Sequence, residues 1–175
     1  MFSCEYYIDD ENLINDICTT KTDSLDAGFE NIISKFKERK KPRVMIIHPG
    51  SLTSYMDVKS AMKEDFERYI TDDKEVRYNS DTEDEKEKEK LIKDIYQIDR
   101  DGYDAICFVS GGNSSGYGLL HHQEVIRTIL NMKTKTIGAI GHSDEYHIFD
   151  LVFNRSLSTP TRLGVELAYY ANKYK

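Results

Sequence analysis

The sequence has little that would staple or anchor it. Its three cysteines, Cys4, Cys18 and Cys107, are too few and too scattered for a disulfide framework. Cys107 sits inside an apolar run and reads as a core thiol, so a reducing cytoplasm suits the chain best. No run approaches the roughly 20 apolar residues of a membrane span, so no membrane partner is expected. The stretch Met1-Phe-Ser-Cys-Glu-Tyr-Tyr7 has neither the basic nor the apolar region of a secretory signal. Cationic surface is scarce as well. The net charge is −7, and no basic stripe stands out beyond Lys35 to Arg43. A protein that grips duplex nucleic acid over a long surface carries a basic face. Any nucleic-acid contact here should therefore be local or need a partner. Five histidines are present (His48, His121, His122, His142, His147), but none has tight ligand spacing with cysteine, so no metal site is assigned.

What remains is an ordinary α/β composition. With 175 residues, 39% hydrophobic and 31% charged, the chain can bury a proper core as one domain. Residues 1 to 42 read as a helical or irregular segment packed on the core, and residues 43 to 175 as the α/β domain. Leu25, Phe29, Ile32, Ile33 and Phe36 recur at helical spacing, which predicts a helix from Leu25 to Glu38. Arg43-Val-Met-Ile-Ile-His48 predicts a buried strand. A helix follows to about Tyr69, with Met56, Met62 and Phe66 among its apolar positions. Glu75 to Tyr78 suggests a short strand. Asp81 to Lys90 alternates acid and base, reads as a solvated helix start, and continues through Leu91, Ile95 and Ile98. Asp104-Ala-Ile-Cys-Phe-Val109 is the clearest strand, and a helix is expected from about Leu119 to Met132. Ile137 to Ile140 is another buried strand, Tyr146 to Phe153 an amphipathic segment, and a last helix follows Thr159-Pro160-Thr161.

Strands alternating with helices imply right-handed crossovers and an open, mostly parallel sheet with helices on both faces, a Rossmann-like or flavodoxin-like three-layer fold. The strand C-termini then share one edge, where such sheets bind ligands. That edge collects His48 to Ser51, Asn79, Ser110 to Gly118 and Gly141 to Glu145. The turn Ser110-Gly111-Gly112-Asn113-Ser114 follows a strand and precedes a helix. Its amide N–H groups and serine hydroxyls could cradle a phosphate, although it is neither a P-loop nor a dinucleotide fingerprint. His142 falls at a strand end beside a helix start. Glu145, three residues on, can orient its ring so that the other nitrogen serves as acid or base, and Asp144 could do the same. Asp57, one to two turns into the first crossover helix, could reach back toward this edge. Asp150 extends the polar set.

These segments together resemble the catalytic core of the exonuclease VII large subunit. Arg43 to Ser51 with Asp57 is similar to that family's first strand, small-residue turn and following aspartate. Asp104 to Ser114 resembles its strand ending in Arg-Gly-Gly-Gly-Ser. Ile137 to His142 resembles the next strand and a Gly-His-Glu-x-Asp motif. Asp150-Leu-Val, and Ser158-Thr-Pro-Thr-Arg-Leu-Gly-Val-Glu-Leu-Ala168, resemble the closing motifs. The resemblance covers the core alone, without the family's oligonucleotide-binding domain or its helical extension. It implies hydrolysis of single-stranded DNA or a related nucleotide with no cofactor and no required divalent metal, a small-subunit-like partner, and a catalytic set of Asp57, His142 and Glu145.

The departures carry weight. Ser110 stands in the place of the family's arginine, Asn113 in that of its third glycine, and Glu145 in that of its second aspartate. Losing a bidentate clamp on the phosphoryl group would cost on the order of 100-fold or more in rate. Arg155 or Arg162 could substitute, and His48 is a further candidate at the same edge. Three readings follow: a phosphodiesterase or nuclease, a binding module that retains the phosphate cradle, and a protein-interaction domain. Tyr169, Tyr170 and Tyr174 are expected on the surface of the last helix, where they could serve a homo-oligomer interface.

Overall fold

The computed structural model describes residues 11–20, 24–50, 52–69, 72–75, 85–111, 118–141 and 148–174. Among these residues, five parallel strands form one sheet: β1 (Val44–His48), β2 (Asp72–Glu75), β3 (Ala105–Ser110), β4 (Thr136–Ile140) and β5 (Arg155–Leu157), in the order β2-β1-β3-β4-β5. The helices are α1 (Glu11–Thr20), α2 (Glu30–Lys37), α3 (Thr53–Met62), α4 (Glu64–Tyr69), α5 (Glu85–Arg100), α6 (Gln123–Leu130) and α7 (Pro160–Lys173).

The central strands β1, β3 and β4 are buried along their whole length, because both faces are covered. Period-two alternation sorts their side chains into two cores. Val44, Ile46, Cys107, Val109, Ile137 and Ala139 pack against α2, α3, α4 and α7. Met45, Ile47, Ile106, Phe108 and Ile140 pack against α1, α5, α6 and Phe153. This is the three-layer α/β architecture that the alternation of elements implied. Cys107 is a core thiol, with no exposed surface; burial pushes its pKa up to about 12.

Two glycines set the layer spacing. Gly138 on β4 faces the second core, where an added Cβ would lie 2.1 Å from Phe153 Cδ2. The Phe153 ring therefore occupies the space a side chain would take, and it stacks obliquely on Phe108 at 5.2 Å between centroids. Gly164 on α7 lets that helix approach α3 closely, since an added Cβ would meet Ala61 Cβ and the Val58 carbonyl oxygen, each at 2.6 Å.

Several boundaries differ from the sequence expectations. The helix expected from Leu25 begins only at Glu30, and Leu25 is exposed. Gly28, at φ +82°, turns the chain close to Ile137 and Arg155, which ends helical continuity there. The helix expected to run to Tyr69 breaks at Lys63, whose φ is +55°, so Met62 and Phe66 are buried from two separate helices. Met56, expected on the apolar side, is exposed. Of the short strand expected at Glu75 to Tyr78, only Glu75 lies among the described residues; it ends Asp72–Glu75, an edge strand that pairs with β1. The helix expected from Leu119 opens as a 3-10 turn, Gly118–His121, and α6 follows with His122 as its N-cap. In the last helix, Thr159 Oγ1 accepts from the Arg162 N–H and Pro160 fills the first turn, as expected. Tyr169 is exposed, but Tyr170 is buried and donates its hydroxyl to Asp26 Oδ1 at 2.7 Å. Burial, with this bond, raises the Tyr170 pKa well above its usual value. Tyr170 is therefore a packing residue and not an interface tyrosine.

Candidate functional site

The strand order reverses direction between β1 and β3, because chain progression runs outward to β2 on one side and to β4 and β5 on the other. At such a switch point the two connections leave in opposite directions, and a crevice opens beyond the carboxyl ends of the strands. The residues there follow from the register. β1 ends at His48 and continues into Pro49-Gly50; β3 ends at Ser110 and continues into Gly111. β4 ends beside β3, with Ile140 opposite Ser110, and Gly141 turns away at φ +90°. The Gly141 N–H donates to the Ser110 carbonyl oxygen at 3.3 Å, so the ladder extends one residue past the strand. Each of the three adjacent strands thus passes into its loop through a glycine.

Among the described residues, an added Cβ on Gly111 would meet nothing within 4 Å. The described residues therefore leave the backbone at Gly111 uncrowded. Ser110 itself is buried, with its Oγ 3.4 Å from the Gly111 carbonyl oxygen. Its side chain is thus packed into the strand end.

His48 is 1% exposed. Its Nδ1 lies 2.9 Å from the Pro49 carbonyl oxygen, which can only accept, so this nitrogen carries the proton. The ring packs on Tyr55 at 5.1 Å, and Tyr55 in turn meets Phe66 edge-on at 5.3 Å. His48 therefore supports the switch point from below. Asp57 is half-buried on α3, the helix that leaves this edge after β1, and has no hydrogen-bond or ion-pair partner among the described residues. One turn earlier on the same helix lies Ser54, which the sequence reading passed over. It is fully buried, and its hydroxyl has no hydrogen-bond partner among the described residues. A serine in a helix gives no signal in sequence; only its burial beside the switch point marks it.

The two arginines considered as substitutes differ in position. Arg162 lies in the first turn of α7, which starts at the carboxyl edge beyond β5; it is largely exposed, and its Nε donates to Glu166 Oε1 at 3.0 Å. Arg155 pairs in register with Ile137, three residues short of the Ser110–Ile140 pair, or roughly 10 Å down the strands. Its guanidinium faces Glu166 at 3.6 Å, on the α7 side of the sheet. Asp150 lies in the 3-10 turn Ile148–Leu151, and its Oδ1 accepts from the Ser156 hydroxyl at 2.7 Å. That contact ties the β4–β5 connection to β5. Glu145, His142, Asp144, Gly112, Asn113 and Ser114 lie outside the described residues, as do Ser51 and Asn79. Among the described residues, no group of three His, Cys, Asp or Glu side chains is gathered as around a metal ion, and no helix is long and apolar enough to cross a membrane.

No family model matches the chain. Over 147 residues, 83% of this chain, it is 25% identical to the exodeoxyribonuclease 7 large subunit of Staphylococcus saprophyticus. It is 30% identical over 98 residues, 55% of its length, to the protein of the same name from Campylobacter fetus. With the Staphylococcus aureus protein it shares 33% identity over 82 residues, 46% of its length. The chain is thus similar at low identity to proteins named exodeoxyribonuclease 7 large subunit. The similarity is partial, and the matched regions take up 31%, 25% and 18% of those three proteins. The chain thus spans less than a third of the length of these relatives.

Proposed function

We propose that this chain is an exonuclease VII-like phosphodiester hydrolase core acting on single-stranded DNA or a related nucleotide. The observation that carries the proposal is a coincidence of two independent readings. The segments that resemble the exonuclease are the ones that end β1, β3 and β4, and those strand ends flank the switch point at which open parallel sheets bind ligands. Kinship with proteins named as exodeoxyribonuclease large subunits supports the same chemistry.

In this reading the amide N–H groups of Gly111, Gly112, Asn113 and Ser114 seat the scissile phosphate. His142 takes a proton from water as the water oxygen attacks phosphorus, and returns it to the departing sugar oxygen as the old P–O bond breaks. Glu145 holds the ring in one tautomer, and Asp57 positions the water or the histidine. No metal takes part. Residues 1 to 42 pack on the domain formed by 43 to 175, and a small-subunit-like protein is the partner.

A second reading is favoured by one specific feature. The family's arginine position is filled by Ser110, which is buried, while Arg155 lies further down the strands against Glu166. A chain lacking the clamp would be a nucleotide- or oligonucleotide-binding module with impaired catalysis.

Labelled single-stranded DNA incubated in EDTA with the wild type and His142→Ala separates the two. The hydrolase predicts short products and a loss of about 100-fold or more in the variant. Binding without cleavage in both proteins selects the module. Cleavage that is equal in both, or neither cleavage nor binding at micromolar protein, ends the proposal.

A further inference from the structure

The only strongly basic stretch of this acidic chain is not used by the site above. Six of the nine residues from Lys35 to Arg43 are lysine or arginine. They end α2 and lead into β1, so they sit at the amino edge of the sheet, opposite the switch point. α4 also ends at that edge, just before β2. α7 runs back from the carboxyl edge and finishes there too. The three helix ends enclose an open hollow of about 480 Å³ lined by Phe36, Arg39, Lys40, Arg68, Tyr69 and Tyr174.

The hollow combines cations with aromatic rings. The Arg68 guanidinium lies over the Tyr69 ring at 5.5 Å, and Lys37 and Lys173 each lie 5.3 Å from the Tyr174 ring centroid. Phe36 meets Tyr69 edge-on at 4.9 Å. Lys40 is paired with Glu38 at 2.9 Å. Neither Arg39 nor Arg68 has an acidic partner among the described residues. The backbone adds an independent sign. Arg39 occupies the left-handed region at φ +57°, just past the end of α2, with the Lys40 N–H donating to the Lys35 carbonyl oxygen at 2.8 Å. Glycine is the residue that position favours. An arginine there is held in a strained backbone while its side chain lines the hollow.

We propose that this hollow is a second binding site, one for single-stranded nucleic acid. Arg39, Lys40 and Arg68 take backbone phosphates, and a base stacks among Tyr69 and Tyr174. Duplex DNA does not fit this chemistry. Its bases are not free to stack on the rings, and a chain of net charge −7 offers no long basic track beyond this patch. The inference stands on the amino-edge residues alone and does not require the hydrolase reading.

The test uses the full chain and a fluorescent, hydrolysis-resistant phosphorothioate oligothymidine, followed by anisotropy as a function of salt. Three phosphate contacts predict a log–log salt slope near −2, at about 0.7 per contact for single strands. The Arg39→Gly/Arg68→Gln double variant should bind at least about tenfold more weakly, with the slope shallower by at least about one. Arg39→Gly alone should raise the thermal midpoint, so the weaker binding is not unfolding. Inorganic polyphosphate and an acidic peptide serve as competitors. Displacement by unlabelled oligonucleotide but not by equal charge in the other two supports the assignment. Binding and slope unchanged in the double variant, or equal displacement by all three competitors, overturns it. Because cleavage is not read, a failed hydrolase assay and a failed binding assay remain separate results.

Discussion

Replacing Gly138 with alanine sets two rules of physical chemistry against each other. Local propensity says the change should help, because a glycine inside a strand costs about 0.5–1 kcal/mol relative to alanine. Packing says the opposite. The new Cβ would lie 2.1, 2.5 and 2.9 Å from three carbons of the Phe153 ring. Ordinary carbon contact begins near 3.5 Å, so the ring would have to retreat by about 1.4 Å. Phe153 is 1% exposed and already stacks on Phe108, so no space receives it. Overpacking of this kind costs about 1–3 kcal/mol, and expelling the ring would approach the roughly 3–5 kcal/mol of a phenylalanine truncation. After subtracting the propensity gain, the expected net loss is about 2 kcal/mol. At about 2–4 °C per kcal/mol for a domain of this size, the melting midpoint should fall by roughly 4–8 °C. Urea unfolding of Gly138→Ala, Phe153→Leu and the double variant checks the cause. The shorter leucine should relieve the clash, making the double variant more stable than the two losses summed by at least about 0.5 kcal/mol. A neutral or stabilising Gly138→Ala, or strictly additive losses, would refute the argument.

Three further outcomes are expected. Gly111→Ala should leave the unfolding free energy within about 0.5 kcal/mol, since its Cβ meets nothing among the described residues, while cleavage or oligonucleotide binding at the switch point falls about tenfold or more; a variant as active as the wild type removes Gly111 from the cradle. His122 Nδ1 caps α6 by accepting from the Glu124 N–H, and burial followed by the nearby Lys88 charge lowers its pKa. A histidine depressed in the folded state binds protons more readily when unfolded, so stability is full above about pH 6.5 and declines as pH falls below it toward the folded pKa. His122→Ser, a cap that does not titrate, should flatten that part of a plot of urea midpoint against pH, and an unchanged slope would count against the cap. Finally, peptide mapping after alkylation at pH 8 should leave Cys107 unmodified in the native protein and modified in urea, because burial keeps its thiol protonated and out of reach; native-state labelling would show that β3 opens.

The elements that the sequence made legible are those whose signal lies within a few consecutive residues. Val44 to Ile47, Ala105 to Val109 and Ile137 to Ile140 are unbroken apolar runs, the mark of strands covered on both faces. Leu91, Ile95 and Ile98 repeat at helical spacing and are all buried on α5. Thr159-Pro160 announces the start of α7 through rules that act within one turn. The parallel sheet and its shared carboxyl edge followed from the order of these elements, as did the loops that carry Ser110 and Gly111. Asp57 and Ser54 show the limit: one was named without a known orientation, and the other could not be named at all.

The remainder belonged to contacts between distant segments. Arg155-Ser156-Leu157 has no pattern of its own and becomes β5 because β4 offers it an open edge to pair with. Asp72–Glu75 becomes β2 in the same way against β1. The late start of α2 reflects the approach of Gly28 to Ile137, which is more than a hundred residues away in the chain. The order β2-β1-β3-β4-β5, and with it the switch point, was likewise decided only in three dimensions. Periodicity is a property of the covalent chain and can be read along it. Pairing order and close approach depend on which surfaces exclude water together, and no short stretch of sequence contains that choice.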